Sequence, residues 1–214
     1  MASLESLETM PARTRKPGWS FYLSWIVLSS LSIPIAFFLD LVILRVIIRF
    51  VGSYIVVNGV SHITEDYLGL YFFVPLVGLV TSLLQYGLLR RYLPRMGGWV
   101  PATLGGWLLG VLLVLIPGWL TGTDAFLQNI DAVFIVMGLS IGTGQWLLLR
   151  RRMPRAGWWI PANGVGWALL GLVTPGSSLG QFGLLALGLL PACTTVQVLV
   201  LLMNQIPTSR LQEA

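Results

Sequence analysis

Charge is scarce in this sequence. Only 10% of its 214 residues are Asp, Glu, Lys or Arg, against about 25% in an average soluble domain, and that gap excludes a soluble globular fold. A single histidine and a single cysteine leave no second ligand for a cysteine metal site and no internal disulfide. Cys193 therefore reads as a small buried apolar residue. No carboxylate pair falls inside an apolar run, so the usual relay of proton-coupled transport is missing. No H-E-x-x-H, phosphate-binding glycine loop or C-x-x-C occurs either. With so few reactive side chains, neither an enzyme nor a metal site is expected.

Long apolar runs are what the chain has instead, with 56% hydrophobic residues. A helix of about 20 residues crosses a hydrocarbon core ~30 Å thick. The pattern predicts an all-α membrane protein with six transmembrane helices, near 19–40, 67–89, 99–119, 131–149, 159–174 and 180–203. The fifth is short before Pro175 and is expected to tilt or to extend into the following link. Residues 1–18 read as a flexible tail, 19–203 as the transmembrane domain and 204–214 as a second tail. The first span is too long, and lacks the small-residue cleavage site, for a removable secretory signal.

The basic residues are grouped. With the N-terminus inside, eleven of the thirteen fall on one side: in the N-terminal tail, in the loops holding Arg90, Arg91, Arg95 and Arg150, Arg151, Arg152, Arg155, and at Arg210. Excess Lys and Arg in short loops marks the cytoplasmic side, so both termini are expected in the cytoplasm of a bacterial inner membrane. The loop arginines are expected to meet lipid headgroups. The basic balance needs no nucleic-acid partner.

On the opposite side, residues 41–50 extend the first helix with Arg45 and Arg49 on one face, an interfacial extension. Asp40 is expected to be hydrated there, and Asp131 to favour a helix N-terminus. His62, Glu65 and Asp66 share the outer loop 51–66. Its β-branched residues around Asn58-Gly59 suit a two-residue hairpin; an irregular loop accommodates the same residues.

The strongest signal is an internal repeat. Residues 85–102, QYGLLRRYLPRMGGWVPA, align without a gap with residues 145–162, QWLLLRRRMPRAGWWIPA, and the match runs on to Gly106-Trp107 and Gly166-Trp167. Spans two and three (about 67–119) and spans four and five (about 131–174) thus read as a parallel duplicated helical hairpin. Thr195-Val196-Gln197 keeps a trace of the same start, against Thr143-Gly144-Gln145. In each loop the paired arginines end a span, a proline stops the helix and Gly97 or Gly157 relaxes the turn. Trp99, Trp158 and Trp159 are expected at the interface. Deeper, Gln85 should reach the depth of Trp107, and Gln145 that of Trp167. The indole N–H is expected to donate to the amide carbonyl, with Gly105, Gly106, Gly164 and Gly166 letting the backbones approach. Alternatively Gln85, Gln145, Asn163 and Gln197 line a polar cavity or hold a ligand.

Gly138-Leu139-Ser140-Ile141-Gly142 matches G-x-S-x-G on the fourth span and in this resembles the rhomboid intramembrane proteases. The sixth span, however, lacks the histidine base that family needs, and a serine without a base is a weak nucleophile. Residues 145–159, and in part 85–99, resemble bacterial multi-pass proteins, frequent in phototrophic lineages, with Q-W-x-x-L-R-x-x-x-P-x-A-G-W-W repeats. That resemblance implies a fold and no reaction. Two functions remain: a non-enzymatic accessory or scaffold subunit packing against membrane helices, lipids or a pigment, partner subunits or its own copies included; or a small-solute transporter or substrate-binding subunit.

Overall fold

A computed structural model describes residues 17–57, 59–93, 96–121, 130–173 and 182–205. They form six α-helices of at least 15 residues: α1 (Trp19–Val51), α2 (Thr64–Leu89), α3 (Trp99–Thr121), α4 (Ile130–Leu149), α5 (Trp159–Val173) and α6 (Phe182–Asn204). All six sit where the apolar runs place them. Five are long and apolar enough to cross a membrane, and in each no more than 44% of the most apolar window is buried inside the protein. The rest of each surface faces outward and is apolar, which suits lipid and not water. α5 has 15 described residues, or ~22 Å of rise, short of a ~30 Å core. Of the expected tails 1–18 and 204–214, residues 1–16 and 206–214 lie outside the described residues.

The helices close into a ring. Each packs on its chain neighbour, and α6 returns to pack on α1. Neighbours run antiparallel: Gln85 of α2 meets Trp99 of α3, while Gly78 earlier in α2 meets Trp107 further along α3. The chain starts of α1, α3 and α5 therefore share one end of the ring with the chain ends of α2, α4 and α6. This end carries the Arg90–Arg91 and Arg150–Arg155 turns, and is called the arginine end below. Arg90, Arg91, Arg150, Arg151 and Arg155 are exposed there and Arg152 is half-buried; Pro94 and Arg95 lie outside the described residues. The Arg150 guanidinium sits 5.0 Å over the Trp146 ring, a cation–π contact.

Three local expectations are corrected. Gly157 does not relax its turn through a positive φ. The left-handed residue of that loop is Arg155, at φ 58°, ahead of a single 3-10 turn, Ala156–Trp158. Trp99 and Trp159 are core residues, 0% and 1% exposed; only Trp158 faces outward. A tryptophan at the start of a returning helix can face either way, and the helix phase turns these two inward. Asp40 is not hydrated either. It is buried in α1 near Leu44 and Gly69, and its Oδ1 has no hydrogen-bond partner. α1 continues unbroken to Val51, so its outer half stays packed on α2 and takes Asp40 with it.

Beyond α1 the hairpin forms. β1 (Tyr54–Val57) pairs antiparallel with β2 (Val60–Ile63), in the register Tyr54 with Ile63 through Val57 with Val60. Gly59 adopts φ +81°, which an L side chain rarely tolerates; Asn58 lies outside the described residues. Thr64 fastens the hairpin base to the end of α1, its Oγ1 donating to the Gly52 carbonyl at 2.8 Å and its N–H to that of Ser53 at 3.0 Å. His62 packs its ring on Tyr67, 4.9 Å between centroids.

Candidate functional site at the centre of the ring

The glutamines are buried and bonded, but to different tryptophans than the spacing suggested. Trp99 Nε1 donates to Gln85 Oε1 at 3.3 Å, and Trp159 Nε1 to Gln145 Oε1 at 2.8 Å. Trp107 and Trp167 instead pack against each other edge to face, with centroids 5.3 Å apart. The depth itself was mismatched: Trp99 lies level with Gln85, and Trp107 lies level with Gly78, about two turns earlier in α2. The other end of each glutamine reaches out of its hairpin: Gln85 Nε2 donates to Ser29 Oγ of α1 at 3.1 Å, and Gln145 Nε2 to Thr103 Oγ1 of α3 at 3.0 Å.

A third set of residues completes the pattern. Trp25 of α1 donates through Nε1 to Thr195 Oγ1 of α6 at 3.2 Å. Trp25, Trp99 and Trp159 then meet edge to face, with centroids 6.1 to 6.3 Å apart. One turn toward the arginine end, Leu89, Leu149 and Leu199 are each fully buried. Four residues after each indole stand Ser29, Thr103 and Asn163; eight residues after stand Ile33, Trp107 and Trp167. The place of Gln85 and Gln145 is thus taken in α6 by Thr195. Gln197, expected among the polar residues, is exposed and lies two residues out of phase.

The glycines act both within and between hairpins. A Cβ on Gly106 would stand 2.7 Å from Ile141 Cα of α4, and one on Gly166 would meet Pro191 and Thr194 of α6. Gly164 faces its own hairpin partner at Leu139, as Gly78 does at Trp107 and Gly138 at Trp167, and Gly105 faces open space. Ser140, of the G-x-S-x-G pattern, is buried at the α3–α4 crossing, where its carbonyl would lie 2.7 Å from a Cβ on Gly106.

At the centre lies a cavity of ≈ 40 Å³ to which all six helices contribute. One water needs ~10–15 Å³ on this measure, so the space suits about three waters or one small solute. Gln85, Gln145, Thr103 and Asn163 supply polar groups to its wall, and among the described residues no charged side chain lines it. Asn163 Nδ2 donates to the Trp159 carbonyl at 2.9 Å. Sequence reasoning found Gln85, Gln145 and Asn163 but missed Trp25, Ser29, Thr103 and Thr195. The signal was available in Trp-x-x-x-(Ser/Thr/Asn)-x-x-x-(Ile/Trp), which recurs at 25–33, 99–107 and 159–167.

Comparison with family models, curated proteins and solved structures gave no match. What the chain's own fold defines is a helical protein with five helices able to cross a membrane, closed around a small, mostly apolar cavity that carries a few polar groups.

Proposed function

We propose that this chain is a non-enzymatic multi-pass protein of a bacterial cytoplasmic membrane, with both termini cytoplasmic, serving as an accessory or scaffold subunit. Its two hairpins are copies of one parallel unit about an axis along the membrane normal, and α6 with α1 forms a third, divergent copy. The observation that carries this reading is the use made of the buried amides: Gln85 and Gln145 are each bonded at both ends, to an indole and to a neighbouring helix. Such bonds hold helices together. A central space of ≈ 40 Å³ is far too small for a pigment, since drug-sized ligands already occupy sites of about 300–1,000 Å³. Any pigment, lipid or partner helix would therefore meet the outer faces, where exposed Leu108, Leu112 and Ile116 of α3 offer apolar contact.

The test is purification of the full chain in mild detergent, followed by mass spectrometry of proteins and pigments. A co-purifying membrane protein, or a defined self-assembly, is the expected result; a monomer with neither partner nor pigment overturns the reading. The second reading, a small-solute transporter or binding subunit, draws on the polar groups that Gln85, Gln145 and Asn163 bring to the cavity.

A further inference from the structure

The three copies are unequal where they meet. In two of them a glutamine bridges an indole on one side to a hydroxyl on the other, Gln85 to Ser29 and Gln145 to Thr103. In the third, Thr195 occupies the glutamine position and accepts from Trp25, but its own hydroxyl donates to the Pro191 carbonyl at 2.6 Å. It makes no bond to Asn163, the counterpart of Ser29 and Thr103 on the adjacent helix. Asn163 is 4% exposed, and the one hydrogen bond made by its side chain uses Nδ2. Its carbonyl oxygen and second N–H are left on the cavity wall. The same copy is also short of volume, because Ile33 stands where the others carry Trp107 and Trp167. Missing bulk and an unmatched amide coincide beside α6 and α1.

We infer that this gap is a binding site for a small uncharged molecule that both donates and accepts hydrogen bonds: water, or an amide or hydroxyl compound no larger than about three waters. Asn163 presents a carbonyl acceptor and an N–H donor, and Ser29 presents a hydroxyl. Among the described residues no charged side chain lines the wall, which favours an uncharged occupant, since burying an unpaired charge is far costlier than burying a bonded dipole. The inference does not depend on the scaffold reading, because a partner subunit on the outer face neither fills nor empties the centre.

X-ray radiolytic labelling of the full chain in lipid nanodiscs tests it, because bound water generates hydroxyl radicals where it sits. Trp159, 1% exposed, lines the cavity, and Trp99, 0% exposed, does not. Oxidation of Trp159 should outpace that of Trp99 in the wild type. The difference should be lost in Ile33→Trp, which fills the gap, and in Asn163→Leu, which removes the amide. Added acetamide distinguishes the occupants: slower Trp159 labelling identifies a solute site, and unchanged labelling a water site. Trp159 labelled no faster than Trp99 in the wild type overturns the inference. So does labelling that persists in both variants when they elute as the wild type does. Should neither variant fold, the wild-type comparison decides alone.

Discussion

The indole-to-amide bonds make a residue-scale claim that energies can check. Interhelical polar contacts in membranes contribute about 0.6–2 kcal/mol. In a double-mutant cycle by thermal unfolding in detergent, Trp159→Phe and Gln145→Leu should couple by an amount in that range, whereas Trp167→Phe and Gln145→Leu should be additive. Asp40 makes the opposite kind of claim. A buried acceptor without a partner costs about 1–3 kcal/mol, so Asp40→Leu, which leaves nothing polar behind, is expected to raise the unfolding midpoint. Arg155, held at φ 58°, is in the region that costs an L residue about 1–2 kcal/mol; Arg155→Gly should stabilise the loop measurably in the same assay. At this scale the sequence is legible in part. Gln85, Gln145 and Asn163 could be singled out because an amide inside an apolar run needs a partner. The partner itself could not, because choosing Trp99 over Trp107 requires the axial register of α3 against α2, which depends on how the loop between them folds.

Helices were the most legible elements, since a run of apolar residues as long as a bilayer is thick has few other solutions. The β1–β2 hairpin follows from Asn58-Gly59 between β-branched residues. What each helix face meets was less legible. Gly106 was expected to let the backbones of its own hairpin approach, and the structure instead sets it with Gly144 at the α3–α4 crossing: a Cβ on Gly144 would reach Gly106 Cα at 3.1 Å. The crossing leaves backbone against backbone, with no flexible side chain to move aside. Gly106→Ala is therefore expected to destabilise the α3–α4 contact by about 1–3 kcal/mol, read as a lower unfolding midpoint. Gly105→Ala, with nothing within 4 Å of the added carbon, should be nearly silent.

For the whole molecule, the closed ring was hidden from the sequence because α1 and α6, which pack on each other to complete it, are far apart along the chain. On the proposed reading, the trace at Thr195-Val196-Gln197 belongs to a unit whose other half is α1. A permuted chain follows from this: joining the end of α6 to the start of α1 by a short linker, and opening the chain between Val57 and Val60, should preserve the fold. Matching elution and tryptophan fluorescence would be the expected result; an aggregated permutant would count against α6 with α1 as a unit.

The bond from Trp25 to Thr195 spans 170 residues, and this sets an order of events during biogenesis. If the chain inserts helix by helix, as the membrane reading proposes, the Trp25 donor of α1 lacks its Thr195 acceptor until α6 is made. Through that interval the growing protein would be an open arc with an unmatched seam on α1. The arrival of α6 would then close it in a single late step. Quality control in the membrane would then have a simple mark of an unfinished molecule: the exposed edge of its first helix.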